Sequence, residues 1–216
     1  AMKTILAYGD SLTYGADPGG GPRHAYEDRW PTVLEKGLGG KARVIAEGLG
    51  GRATAYDDWT AAADRNGARI LPTLLASHAP LDLVIIMLGT NDLKPFVAGS
   101  AAYAARGARR LIEMTRGHFA ATNEPVPQIL LVSPPHVVET TNETMLSNFG
   151  GLEHLLRESQ DFARHYRRHA EETGVAFFDA ATVAKADPRD GVHLDPANTR
   201  AIGEGLVPLV KQILGL

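Results

Sequence analysis

Ile5-Leu6-Ala7-Tyr8-Gly9-Asp10-Ser11-Leu12-Thr13 is the stretch whose reading decides the fold. An apolar run ends at a glycine, and an acid, a serine and a threonine follow within four residues. Such a run reads as a strand that stops at Gly9, where a residue without Cβ permits a sharp turn. Ser11 then stands at the carboxyl end of a strand, the edge at which open α/β sheets bind their ligands. Taken alone, a serine in such a place is a turn residue or a helix cap. Three further stretches give it company: Gly48-Leu49-Gly50-Gly51, Gly89-Thr90-Asn91-Asp92 and Asp190-Gly191-Val192-His193.

Four more apolar runs follow the first. Besides Lys3–Tyr8, strands are expected at Ala42–Glu47, Leu83–Leu88, Gln128–Ser133 and Val175–Asp179. Their apolar residues are nearly continuous rather than alternating, the pattern of strands covered on both faces of a parallel sheet. Helical spacing occupies the intervals: Glu27–Gly37, Ala53–Ala79 with room for two helices around Pro72, Ala101–Thr122, Leu152–Thr173 closed by Gly174, and Asn198–Leu214. Strand and helix in alternation predict an α/β fold with right-handed crossovers, here as one domain over residues 1–216. Two loops are longer than a connection requires. Ala16–Tyr26 holds three consecutive glycines, but no Gly-Lys-Ser/Thr follows and it reads as a flexible loop rather than a phosphate cradle. Pro134–Gly151 carries Val137, Val138, Met145, Leu146 and Phe149, and long loops of this kind serve as lids, walls or interfaces.

The bulk composition removes several function classes. With 44% apolar and 22% charged residues the chain has the balance of a globular protein, and 216 residues can bury a substantial core. A net charge of −3 gives no reason to expect nucleic acid or an anionic membrane as partner. The absence of cysteine rules out disulfides, thiolate metal sites and a cysteine nucleophile. With no apolar leader and no long apolar segment in this sequence, a cytoplasmic location is expected.

In a parallel sheet, the segments after successive strands share one edge. Ser11, Gly51 and Asn91 follow the first three strands, and Asp190 and His193 precede the last helix, so all can converge. Their chemistry is complementary. A serine hydroxyl needs a base, and His193 can serve. Asp190, three residues earlier, can fold back on the imidazole, fix its tautomer and stabilise its protonated form. Attack on an ester creates an oxyanion, which the N–H groups of Ser11 and Gly51 and the side-chain amide of Asn91 can receive.

At these residues the chain resembles GDSL esterases of the SGNH-hydrolase superfamily. Gly9-Asp10-Ser11-Leu12-Thr13 is similar to the family's nucleophile block, Gly89-Thr90-Asn91-Asp92 to its third block, and Asp190-Gly191-Val192-His193 to its Asp-x-x-His block. In the second block the family often has an asparagine a few residues before the oxyanion glycine, and Ala46 stands there instead. The resemblance implies a flavodoxin-like three-layer sandwich of five parallel strands between helices, a catalytic set of Ser11, Asp190 and His193, and no metal or other cofactor. Arg29-Trp30-Pro31, the loop after Pro134-Pro135, and His193-Leu194-Asp195-Pro196-Ala197-Asn198 are similar to bacterial aryl esterases and acyltransferases. That likeness implies hydrolysis of short-chain acetyl and aryl esters, acyl transfer to alcohols, and a homo-oligomer whose loops narrow the entrance.

Other residues receive plainer readings. Asp10 is expected to tie down the turn through backbone N–H groups, and Asp92 to be structural. His165 and His169 have metal-ligand spacing on a helix, but Tyr166-Arg167-Arg168 between them reads as a solvated face. Of the remaining histidines only His136 lies in a loop expected to face the site. Leu12, Phe96, Val137, Val192 and Leu194 are expected to form an apolar rim for a small-molecule ester. On this scaffold a carbohydrate O-acetylesterase or a lysophospholipase/thioesterase competes with the aryl esterase reading, and a non-catalytic ligand-binding protein is the alternative from another class.

Overall fold

The computed structural model describes residues 1–216. Five strands, β1 (Lys3–Gly9), β2 (Ala42–Gly48), β3 (Leu83–Met87), β4 (Gln128–Ser133) and β5 (Ala176–Asp179), pair in parallel in the order β2-β1-β3-β4-β5. The expected strands are therefore all present, each within a residue or so of its expected ends. The five-stranded parallel sheet between helices is the expected flavodoxin-like arrangement. Its strand order reverses between β1 and β3, and a crevice opens there at the carboxyl edge.

The near-continuous apolar runs have the expected meaning on the inner strands. Ile5 and Ala7 of β1, Leu83 and Ile85 of β3, and Leu130 and Val132 of β4 enter one core. Leu6, Tyr8, Val84, Ile86, Ile129 and Leu131 enter the other. The first core is closed by α2 (Trp30–Gly37) and α8 (Pro196–Leu214), the second by α3 (Gly67–His78), α4 (Ala101–Ala121) and α7 (Phe162–Thr173). The edge strands β2 and β5 are only partly buried.

Several helices differ from the expected spans. Ala53–Ala79 contains only α3, because residues 54–66 form an irregular excursion held by Asp58 and Asp64 side chains accepting nearby backbone N–H groups. Leu152–Thr173 is two helices, α6 (Leu152–Gln160) and α7, which meet at Asp161. Tyr166 is not on a solvated face. It is fully buried, and its hydroxyl donates to the Leu88 carbonyl at 2.5 Å. The long loop holds a short helix, α5 (Glu143–Asn148), and Val137 and Phe149 within that loop belong to the α3/α4/α7 core. Met145 packs against the same core, so the loop's apolar residues are largely taken up within one chain. No helix is long and apolar enough to cross a membrane.

Trp30 ties the turn that carries Ser11 to the rest. Its indole N–H donates to Thr13 Oγ1 at 3.1 Å, and its backbone N–H donates to Thr199 Oγ1 of α8 at 3.1 Å. On the other face, Tyr166 reaches the segment after β3 because Gly89 has no side chain; a Cβ there would collide with the Tyr166 hydroxyl. Tyr166→Phe leaves the Leu88 carbonyl without its buried donor, and is expected to destabilise the protein by about 1–3 kcal/mol. Because Leu88 lies three residues before Asn91, turnover should fall as well. Urea unfolding and turnover measured on the same preparation check this; unchanged stability would show that the bond has no net value.

Candidate active site

Helix α1 (Ser11–Tyr14) begins immediately after β1. Asp10 caps it, its Oδ1 accepting from Leu12 N–H at 2.9 Å, as expected of a turn-fixing carboxylate. Ser11 therefore stands at the first position of a helix, with its hydroxyl toward the segment before α8. His193 meets it there: Nε2 lies 2.9 Å from Ser11 Oγ. Asp190 Oδ2 lies 2.5 Å from Nδ1 of the same ring. Both contacts are satisfied when Nδ1–H donates to Asp190 and Nε2 accepts the serine proton. Asp190 Oδ1 accepts the backbone N–H groups of Val192 and His193, each at 2.9 Å. Burial alone would raise the Asp190 carboxyl, but the imidazole and these two N–H groups outweigh it and hold the group below its ordinary range. His24 braces the segment from behind, its Nε2 lying 2.7 Å from the Leu194 carbonyl oxygen.

Asn91 opens the turn after β3. One side-chain N–H donates to the Arg52 carbonyl at 3.1 Å; the nearest partner of the other is Asp10 Oδ2 at a long 3.5 Å. The backbone N–H groups of Ser11 and Gly51 have no acceptor within the chain. Gly51 has φ +81°, and a Cβ there would lie 2.8 Å from Arg65 Nε. At that φ a side chain is strained, and glycine leaves the backbone open toward the cavity. Gly50 lines the same cavity.

Two cavities meet at His193. One, of about 310 Å³, is lined by Ser11, Gly51, Asn91, Lys94, Met145, Phe149 and Val192, among others. The second, of about 550 Å³, lies on the other side of the imidazole and is bounded by Asp17, Gly19, Asn142, Thr144 and Arg189. The glycine-rich loop thus forms a wall of the site, braced by Asp17 Oδ2 accepting from the N–H groups of Gly19 and Gly21.

The expected apolar rim is mostly elsewhere. Val192 lines the smaller cavity, but Leu12 and Leu194 are packed in the α2/α8 core and Val137 in the opposite core. Each of these three side chains is taken up by core packing instead. Phe96 is exposed and borders neither cavity at Ser11. His136 also borders neither; its backbone bridges to Lys185. Met145, Phe149, Ala16 and Lys94 take the places assigned to the rim. The first two lie in the long loop, whose apolar content was the available signal. Lys94 sits one turn beyond Asn91, a spacing that could have disclosed it.

Two buried carboxyls lie beneath the turns. Burial pushes Asp10 up to about 6. It pushes Asp92 up to about 7, even though Thr54 donates to both Asp92 oxygens, N–H at 3.0 Å and Oγ1 at 2.5 Å. Each binds its proton more firmly in the folded chain than at the ordinary value of 3.8. Their contribution is complete below that value and is lost as pH rises through about 6 and 7. Asp190 acts in the opposite sense, its contribution being lost as acid protonates it. Between about pH 5 and 8 the melting temperature should therefore fall, on the order of 5–10 °C for a loss of a few kcal/mol. Asp92→Asn should flatten that fall. A scanning-calorimetry series across this range checks it, and an equally steep fall in the variant would exclude Asp92 as its source.

The chain matches the GDSL-like lipase/acylhydrolase family over residues 7–200. No curated protein sequence matches it significantly. Among solved structures it is similar to a carbohydrate acetylesterase family member from Sinorhizobium meliloti, at 53% identity and TM-score 0.95 over 100% of both chains. It is also similar to a second carbohydrate acetylesterase of that organism, at 34% identity and TM-score 0.91 over 98% of this chain and 99% of the other. The aryl esterase of M. smegmatis matches at 39% identity and TM-score 0.90, over 98% and 100%. With a histidine-bonded serine at the mouth of its crevice, the chain belongs to the GDSL-like lipase/acylhydrolase family and is a serine esterase, a carboxylic ester hydrolase.

Proposed function

We propose that Ser11 is the nucleophile of a short-acyl esterase, with His193 as general acid and base and Asp190 as its orienting partner. The observation that carries this reading is the unbroken chain of contacts from Ser11 Oγ through the His193 ring to Asp190, which joins residues 182 apart in sequence. Ser11 Oγ attacks the ester carbonyl carbon as His193 Nε2 takes its proton. The carbonyl oxygen becomes an anion facing the N–H groups of Ser11 and Gly51 and the second N–H of Asn91. His193 returns the proton to the leaving alkoxide, which departs as the alcohol. Water then gives a proton to His193 and attacks the acyl-enzyme, and collapse releases the acid and restores the serine.

The two cavities divide the ester. The oxyanion donors border the smaller one, so the acyl chain enters it; its modest volume and the walls of Met145, Phe149 and Val192 favour short acyl groups. The leaving oxygen must face His193, which directs the alcohol toward the larger cavity with Asn142, Thr144, Asp17 and Arg189. Those hydrogen-bonding walls favour a second reading, a carbohydrate O-acetylesterase whose sugar occupies this side. The carbohydrate acetylesterases among the similar structures support that substrate class. A partly apolar acyl side also favours interception of the acyl-enzyme by an alcohol as well as by water.

Ser11→Ala and His193→Ala should each abolish nearly all hydrolysis of phenyl acetate, with the double variant little worse than either, because the groups act as a unit. Asn91→Ala should lower kcat by roughly 10²–10³-fold with KM little changed. Steady-state kinetics on folded variants checks these; full turnover by Ser11→Ala would overturn the assignment. Product analysis with phenyl acetate and a primary alcohol in buffer should show a new acetate ester at early times. Acetic acid alone would restrict the enzyme to hydrolysis. Release of acetate from an acetylated sugar with kcat/KM above that for phenyl acetate would select the carbohydrate reading.

A further inference from the structure

We propose that Lys94 makes the acyl side of the catalytic cavity selective for short acyl groups that end in a carboxylate, such as the half-esters of a four-carbon diacid. The inference rests on the esterase reading above and adds the chemistry of the acid released.

Lys94 follows the 3₁₀ turn Asn91–Leu93 as its cap, its N–H donating to the Asn91 carbonyl at 3.3 Å. Side chains three apart on such a turn eclipse one another, so Lys94 projects on the same side as Asn91. Both line the smaller cavity together with Ser11 and Gly51. The Lys94 ammonium lies 5.3 Å from the centre of the Phe149 ring, which forms part of the same wall. It thus shares one cavity with the groups proposed to hold the oxyanion.

The segment that carries it is rigid. The Asp92 carbonyl accepts the N–H groups of both Ala98 and Gly99, and the Lys94 carbonyl accepts that of Val97 at 2.9 Å. His154 Nε2 lies 3.1 Å from the carbonyl oxygen of Leu93, which holds the turn from outside.

The Lys94 ammonium faces the Phe149 ring, but no carboxylate pairs with it. Two carboxylates act on it, Asp58 and buried Asp10, but neither pairs with it directly. Asp58 is occupied by Thr60, whose N–H and hydroxyl donate to its Oδ1 at 2.9 and 2.6 Å. Arg65, whose side chain runs against Gly51, adds a second cation nearby and bonds only the Ala63 carbonyl. The contrast with the larger cavity is direct. Arg189 there is already held by Asp187, with Nε to Oδ1 and Nη2 to Oδ2 both at 3.1 Å. The alcohol side therefore presents a neutralised cation and the acyl side a free one. A partly buried ammonium without an anionic partner is costly, and a carboxylate delivered by the substrate would answer it. Burial lowers the Lys94 ammonium from its ordinary range, as expected of a charge partly withdrawn from solvent.

The test compares two ethyl esters of nearly equal shape, monoethyl succinate and ethyl levulinate. In each, water cleaves the acyl–oxygen bond and yields ethanol and the free acid, so ethanol release reads both. Phenyl acetate hydrolysis by the wild-type enzyme tests the esterase reading separately. Wild-type kcat/KM should favour the succinate by roughly tenfold to a hundredfold, the value of a charge-assisted contact. The preference should shrink as salt is added. Lys94→Met should bring the ratio to about unity or below, whereas Lys94→Arg should keep it well above unity. The ratio is taken within each variant, so a common change in turnover cancels. A wild-type ratio near unity, or one that survives Lys94→Met, would overturn the proposal while leaving the esterase reading intact.

Discussion

The carboxyl of Asp92 is the contact on which the geometry of the site depends. It is fully buried, and both oxygens receive hydrogen bonds from Thr54. That single residue fastens the loop after β2 to the turn after β3. The loop carries Gly51 and Arg52, and the turn carries Asn91. With the two held together, the Arg52 carbonyl can accept from the Asn91 amide, and its guanidinium can reach the Gly9 and Glu47 carbonyls at 3.0 and 2.7 Å. Gly9 ends β1 and precedes the nucleophile turn. Three loops from three adjacent strands are in this way locked by one polar layer under the sheet edge. A buried layer of this kind is stable only when its members are satisfied together, so displacing one loop would unpair groups in the other two.

The sheet was legible because parallel strands buried on both faces must be nearly all apolar, and β1, β3 and β4 are. The proposed catalytic set was legible for a different reason. Catalysis by a serine needs a base and an orienting carboxylate, and Asp190 and His193 are close enough in sequence for one short loop to set their geometry. Asp10 and Asp92 could be read as structural because carboxylates beside a turn find backbone donors. What could not be read was decided by contacts far apart in the chain. Residues 54–66 have helical spacing, yet Asp92 draws Thr54 aside and the segment becomes an excursion instead of a helix. Tyr166 lies between charged residues and reads as exposed, but Gly89, 77 positions away, leaves the space that draws its hydroxyl inward.

The apolar rim failed for a related physical reason. Of the apolar residues beside the proposed catalytic groups, Val192 faces the cavity, whereas Leu12 and Leu194 point into the core. Leu12 follows Ser11 on α1 and Leu194 follows His193, and both are buried on the α2/α8 side. Their burial holds the reactive side chains in place, and it removes them from the substrate. The walls come instead from longer-range segments: Met145 and Phe149 from the loop around α5, Lys94 from the turn before α4, and Asp17 from the loop after α1.

This separation has a consequence for how the scaffold handles different esters. The hydrogen bonds that set the catalytic residues run between the strand ends and the segment before α8, and none of them uses Met145, Asn142, Thr144, Asp17 or Lys94 side chains. In the proposed reading, acyl size, acyl charge and alcohol polarity are set by residues whose replacement leaves the polar layer paired. Specificity is a difference of transition-state binding, and it can be altered at the walls with little cost to the chemistry. The reverse does not hold. Asp92 and Thr54 border neither cavity at Ser11, yet a change at either loosens Asn91 and Gly51 together, and the proposed oxyanion site would lose two donors through the failure of one contact.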